Sequence, residues 1–182
     1  EVTDLDYVLV IGCGMVGIGA VVRSVLRGAR VIAADIDDHK LELMRRLGAQ
    51  YTINTLTEDI HSRLSEITSG LGPDVVIEAV GSPLTYRMAV DEVAFTGRVV
   101  YIGYSKSEIA FETKLFVQKE MDIRGSRNAM PDDFRAVTEY LKRGGFPFEE
   151  LISSVCTPEE ALPQMEQWVS TPGKVFRILV KF

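Results

Sequence analysis

Cysteine and histidine are scarce, with two of each in 182 residues: Cys13, Cys156, His39 and His61. The cysteines lie far apart and fit neither a disulfide framework nor a metal-ligand spacing, which points to a reducing compartment, the cytoplasm. The histidines fall on the expected polar faces of two helices and read as surface residues. A zinc site needs three or four convergent ligands, so no metal ligand is assigned in this chain. Positive charge is in deficit too, with 20 Lys and Arg against 26 Asp and Glu and a net charge of −6. Bulk electrostatics therefore draw the protein neither to nucleic acid nor to a membrane surface. Nor is there a long apolar run. The most apolar stretch, residues 8–22, follows Asp4 and Asp6, is interrupted by four glycines and is closed by Arg23. It reads as a core element rather than a signal or an anchor. Internal repeats and low-complexity segments are absent, and so is an opening methionine: the chain begins at Glu1, as expected of a piece cut from something longer. What is present, 46% hydrophobic and 25% charged residues, suits a soluble globular protein long enough to bury a full core.

Glycine is placed where it is informative. The run Val8-Leu9-Val10-Ile11 is of the kind buried on both faces of a parallel sheet, and it stops at Gly12-Cys13-Gly14-Met15-Val16-Gly17. In this G-x-G-x-x-G spacing Gly12 permits a tight strand-to-helix turn, Gly14 lets backbone approach a pyrophosphate, and Gly17 lets the helix press against the strand. The helix expected over Met15 to Arg27 offers its free N–H groups and positive dipole end to the two phosphates. A second strand, Arg30 to Ala34, ends at Asp35, close to the roughly 20-residue offset at which an acid meets the adenosine ribose of a dinucleotide. Asp35, Asp37 and Asp38 would repel a 2′-phosphate, and no arginine lies between Asp35 and Lys40 to receive one. NAD is favoured over NADP on that ground. A different role stays open to Asp35 or Asp37, that of N-cap to the next helix.

Further along, helices are expected at Asp37 to Leu47, Glu58 to Thr68, Ser82-Pro83 to Phe95 and Asp132 to Arg143, with a single turn at Leu115 to Lys119. Strands are expected at Gln50 to Ile53, Asp74 to Glu78, Gly97 to Ile102 and Met121 to Arg124. This alternation predicts a doubly wound α/β fold, a six-stranded parallel sheet of Rossmann type in the order 3-2-1-4-5-6. Ligand would lie in the crevice at the carboxyl ends of the central strands, where Ala79-Val80-Gly81, Ile102-Gly103-Tyr104 and Gly125-Ser126-Arg127 fall. Glycine at those ends suits backbone running under an extended cofactor, though it is equally the default of a tight connection. Residues 1–145 form the expected dinucleotide-binding domain. Residues 146–182 form a tail: a strand (Ile152 to Cys156), a helix (Glu159 to Ser170) with Pro158 at its first position and Pro172-Gly173 beyond its end, and a last strand (Val175 to Lys181).

The residues Val10-Ile11-Gly12-Cys13-Gly14-Met15-Val16-Gly17, Asp35-Ile36-Asp37, Leu47-Gly48-Ala49, residues 72–81, Gly97-Arg98-Val99-Val100 and Ile123-Arg124-Gly125-Ser126 resemble the medium-chain, zinc-type alcohol and polyol dehydrogenases. The resemblance extends over nearly the whole chain and implies the NAD-binding domain plus C-terminal tail of such an enzyme. It implies that the acid matching Asp35 selects NAD and that Lys40 supports the adenosine ribose. It also implies that Val80, Ile102 and Gly103 line the ribose and nicotinamide path, that backbone at Ser126 and Arg127 meets the carboxamide, and that Arg177 stands against the pyrophosphate. For Lys40 and Arg177 a solvated surface charge is the other reading. The expected cofactor-contacting set is Gly12, Gly14, Met15, Val16, Gly17, Asp35, Ile36, Lys40, Ala79, Val80, Gly81, Ile102, Gly103, Tyr104, Ser126, Arg127 and Arg177, with no catalytic residue.

In that family an amino-terminal domain carries the catalytic zinc, and its Gly-His-Glu motif is not in this sequence. Zinc is therefore expected only in a part that this chain lacks, the tail is expected to pack on that part, and the chain alone is expected to be inactive. The family's chemistry would be hydride transfer between a small alcohol or polyol and NAD, with Arg127 and Asn128 facing the substrate. The last sheet strand joins subunits in the family, which implies a homodimer through Met121 to Gly125. The competing reading is a stand-alone NAD(H)-binding redox sensor, which would be expected to show a basic DNA-reading helix or an allosteric surface, and neither is visible. A short-chain reductase is excluded because Tyr86 and Tyr140 lack the lysine of a Tyr-x-x-x-Lys pair, and Tyr104 is followed by Lys106 only.

Overall fold

The structure, a computed structural model, describes residues 2–171 and 175–182. Two compact units divide the chain, the first ending at Arg127 and the second running from Asn128 to Phe182. The division falls ahead of the expected 145/146 boundary, so the helix that follows Met130 groups with the tail.

In the first unit the strands are β1 (Tyr7–Ile11), β2 (Arg30–Asp35), β3 (Tyr51–Asn54), β4 (Val75–Glu78), β5 (Arg98–Tyr101) and β6 (Asp122–Gly125). Between them run α1 (Met15–Leu26), α2 (Asp38–Arg46), α3 (Ile60–Thr68), α4 (Pro83–Glu92) and α5 (Lys114–Gln118). All neighbouring strands pair in parallel, in the order β3-β2-β1-β4-β5-β6, as the alternation predicts. Helices on both faces explain why β1, β2 and β4 are continuous apolar runs: Leu9, Ile32, Ile53, Val76 and Val99 are buried in one cluster that also takes Leu64, Ala89 and Val93 from the helical layer. Chain order reverses between β1 and β4, which opens the crevice at their carboxyl ends.

Local signals fix the helix starts. Asp37 caps α2 by accepting from the amides of His39 and Lys40, Asp59 caps α3 through Ser62, and Ser82 with Thr85 forms a capping box on α4 behind Pro83. The end of α4 differs from expectation. Apolar periodicity carries on to Phe95, but the helix stops at Glu92 because Val93 turns extended and enters the core. The Lys119 ammonium then donates to the freed carbonyls of Val90, Asp91 and Val93 at 3.1, 2.6 and 2.8 Å.

The second unit holds α6 (Pro131–Lys142), α7 (Phe148–Leu151), β7 (Ser154–Cys156), α8 (Ala161–Ser170) and β8 (Ile178–Val180), with β7 and β8 paired in parallel. Here the elements are shorter than the sequence suggests. Ile152 lies outside the strand because α7 occupies the preceding residues. Pro158 sits in a turn closed by the Ala161 amide on its carbonyl, so α8 starts two residues after Glu159. Pro172 and Gly173, expected to end that helix, lie outside the described residues.

Candidate functional site

The turn after β1 is shaped by the missing Cβ atoms of Gly12 and Gly17. Gly12 has φ +95°, in the region that favours glycine, and a Cβ there would stand 2.5 Å from Val80 Cγ2. A Cβ on Gly17 would stand 1.8 Å from the Gly12 carbonyl oxygen, inside the turn itself. Gly14 is the contrasting case. It is the N-cap of α1 in extended backbone, no side chain caps the helix, and a Cβ there would meet nothing within 4 Å. The first-turn amides of α1 thus face an open cradle with no acid in the first turn, the environment that suits a diphosphate. Val16, at the same helix end, is half exposed.

Asp35 ends β2 and is bound into that turn. Its Oδ2 accepts from the Cys13 amide at 2.6 Å, and its Oδ1 accepts from the amides of Ile36 and Asp37 at 2.8 and 3.1 Å. The capping role belongs to Asp37, so the two acids divide the roles the sequence leaves open between them. The half-buried Asp35 carboxylate keeps one lone pair to spare, on Oδ2, beside the cradle, the position from which it can accept from a ribose hydroxyl. Cys13 is fully buried, and burial, then the Asp35 charge, pushes its thiol well up, with Lys40 pulling the other way. The thiol is an inert core group, and Lys40 is close enough to Cys13 for its charge to be felt there. Ile36 is exposed next to Asp35.

On the other side of the crevice the loops after β4 and β5 meet backbone to backbone. Gly81 has φ +83°, and a Cβ on it would lie 2.7 to 2.9 Å from the Tyr104 main chain. A Cβ on Gly103 would lie 2.3 Å from the Gly81 nitrogen. Beyond them opens a cavity of about 580 Å³ with walls from Ile102, Gly103, Tyr104, Ser126 and Arg127. Tyr86 and Tyr101 also line it, and neither stands in the expected set. Their rings stack at 4.0 Å, the Tyr86 hydroxyl donates to the Gly103 carbonyl at 2.6 Å, and the Tyr101 hydroxyl donates to the Tyr86 carbonyl at 2.9 Å. Burial, followed by the charge of Glu78, raises both phenols above their ordinary range, so both remain donors at neutral pH. Glu78 itself is fully buried under these loops and likewise stands outside the expected set, although a carboxylate closing an otherwise apolar strand is a visible signal.

Contacts therefore join many of the expected residues of the first unit: Asp35 to Cys13 and the glycine turn, Gly12 to Ala79 and Val80, Gly81 to Gly103 and Tyr104, and these last two to Ser126 and Arg127 around the cavity. Arg177 belongs to the second unit, where its side chain is exposed and its carbonyl accepts from the Ser153 amide at 2.8 Å. Among the described residues no three His, Cys, Asp or Glu gather as a metal site would require, and no helix is long and apolar enough to cross a membrane.

The zinc-binding dehydrogenase family model matches residues 16–143. An erythritol/L-threitol dehydrogenase of Mycolicibacterium smegmatis is 28% identical over 169 residues, which make up 92% of this chain and 45% of that protein. The crystal structure of benzyl alcohol dehydrogenase from Acinetobacter calcoaceticus has a TM-score of 0.88 at 27% identity, covering 100% of this chain and 51% of its own. An Escherichia coli alcohol dehydrogenase complexed with cofactor NADH has a TM-score of 0.86 at 25% identity, covering 100% and 53%. The chain spans about half the length of the relatives it matches. With the family model matching from α1 through α6, over a six-stranded parallel sheet that has a glycine turn at its centre, the chain belongs to the zinc-binding dehydrogenase family.

Proposed function

We propose that this chain is the NAD(H)-binding part of a zinc-dependent dehydrogenase that passes hydride between a secondary alcohol, of alcohol or polyol type, and NAD. One observation carries the reading: an open cradle at Gly14, fronting uncapped helix amides, with the Asp35 carboxylate tied to the same turn. The cradle is the space a Cβ would fill, so the residues present fit a diphosphate. Asp35, with Asp37 and Asp38 behind it, selects the ribose diol of NAD against the phosphate of NADP. Val80, Ile102, Gly103 and Tyr104 orient the nicotinamide end, and backbone at Ser126 and Arg127 receives its carboxamide. When bound, the nicotinamide supplies the hydride acceptor. In this reading the chain's own contribution is position and orientation, and zinc belongs to the part of the enzyme the chain does not span.

Two features of the surface support the wider assembly. Val155, Leu162 and Met165 are exposed at 61, 66 and 56%, which favours a tail, residues 146–182, that docks on a further domain over a free-standing sensor module. Strand β6 is the sheet edge and all four of its residues are exposed, which supports a homodimer paired through residues 121–125. Sedimentation at rising concentration checks this: a dimer is expected, and Ile123→Pro should abolish it, whereas a monomer at every concentration overturns the pairing. The two buried free thiols suit the cytoplasm.

Titration with NAD and NADP tests the cofactor assignment. Wild type should bind NAD more tightly, and Asp35→Ala should lose about tenfold of that affinity, in line with one charge-assisted hydrogen bond pair, while gaining for NADP. Tighter binding of NADP by the wild type would show the assignment to be wrong.

A further inference from the structure

Glu78 is buried at 0% exposure in the middle of the sheet, between Ile11 on β1 and Tyr101 on β5. A carboxylate there is costly to desolvate, and a well-packed apolar side chain would stabilise the sheet as well or better. Its bonding shows what it does instead. Oε1 accepts from the Val80 amide at 2.9 Å, the Gly81 amide at 2.7 Å and the Thr85 hydroxyl at 2.7 Å. Thr85 is the capping-box residue of α4, so the carboxylate also stands at the positive end of that helix. The main-chain carbonyl of the same residue accepts from the amides of Ile102 and Gly103, both at 2.9 Å. One residue therefore holds two loops, the one after β4 by its side chain and the one after β5, which lines the cavity, by its backbone.

The other carboxylate oxygen, Oε2, is buried and has no hydrogen-bond partner. It lies 2.4 Å from where a Cβ of Gly103 would stand, so Gly103 closes directly over it. The Gly103 carbonyl is in turn held by Tyr86. No bond in this set reaches Gly14 or Asp35, which are fixed by their own turn.

We propose that Glu78 is a positioning residue for the nicotinamide half of the cofactor: by fixing the Val80 and Gly81 amides beneath Gly103, it sets the level of the surface on which the nicotinamide riboside rests. The proposal rests on the NAD(H) reading above and deepens it. It separates the two halves of one ligand, because ADP uses only the glycine cradle and Asp35, whereas NADH also uses the loops that Glu78 holds.

The test is calorimetric titration of this chain with ADP and with NADH, for wild type, Glu78→Asp and Glu78→Gln, with thermal melting of each. Glu78→Asp keeps the charge but withdraws the acceptor from both amides, so the loop is no longer held at its level; NADH affinity should fall about tenfold, with ADP affinity within about twofold of wild type. Glu78→Gln keeps an acceptor at the Oε1 position and should restore NADH binding to within about threefold. Should either variant not fold, Thr85→Val removes one of the three donors and should show the same selective loss at about two- to threefold. An equal loss of ADP and NADH makes the role merely structural and overturns the proposal, as does unchanged NADH binding in Glu78→Asp. Failure of the wild type to bind either ligand overturns the NAD(H) reading itself, and this inference with it.

Discussion

At the β1–β2 side of the crevice the chain presents main chain: a turn built on glycines, helix amides that no side chain caps, and one half-buried carboxylate reaching back to its own turn. At the β4–β6 side it presents side chains: a fully buried glutamate, two stacked tyrosines, and loops pressed together over them. In the NAD(H) reading the first side takes charge, since backbone N–H groups bind phosphate without burying an ion of their own. In the same reading the second takes the flat nicotinamide ring, which needs a wall at a fixed height. Sterics limit the first side, and hydrogen-bond satisfaction limits the second.

The sharpest way to break that contrast lies within the glycine turn. A Cβ at Gly17 runs into the Gly12 carbonyl at 1.8 Å, and backbone has to move, so Gly17→Ala should cost about 3 kcal/mol and lower the melting temperature by about 6–12 °C. NAD binding should be lost with it, because the whole cradle shifts. Gly14→Val enters open space in extended backbone and should cost no more than about 1 kcal/mol, the loss of glycine at an N-cap, yet weaken NAD at least tenfold by filling the cradle. Melting curves paired with NAD titrations read both variants. If Gly14→Val loses stability but keeps its affinity for NAD, the open space is not the phosphate site.

The same contrast explains what could be read before the fold was known. The glycine turn and Asp35 lie within 24 residues of one another, their roles are conformational, and spacing along the chain records them directly. Glu78, Tyr86 and Tyr101 act through contacts made across strands and a helix, and although Gly103 stands in the expected set, no spacing encodes that it closes over a carboxylate. A glutamate at the end of Val75-Val76-Ile77-Glu78 looks like the polar end of a strand until Gly103 is seen above it. The sheet order was legible because strand and helix alternate without interruption. The end of α4 was not, because Val93 obeys the core and Lys119 supplies the caps from 26 residues away. In the second unit short elements defeat periodicity: a four-residue helix and two three-residue strands give too few turns or alternations to count.

A smaller effect should separate the two sides on titration into the alkaline range. Each side holds a group raised above its ordinary value that such a titration can follow: Cys13, from 9.0, by burial and then Asp35, and Tyr86, which like Tyr101 is raised from 10.0, by burial and then Glu78. A raised folded value means that the folded state binds the proton more tightly than the unfolded chain. Each contribution to stability is then fully present below the unfolded value and is lost as the pH climbs from there through the folded value. The difference in unfolding free energy between wild type and Cys13→Ala should therefore be constant up to pH 9.0 and shrink above it. The difference for Tyr86→Phe should hold until pH 10.0 and only then decline. Chemical denaturation along a pH series measures both, and the neighbours sharpen the result. Asp35→Asn should weaken the pH dependence of the cysteine pair alone, and Glu78→Gln that of the tyrosine pair alone, because each acid touches only its own side. A shared response to either change would mean that the two sides are electrostatically one site, and the division between a phosphate cradle and a nicotinamide wall would have to be given up.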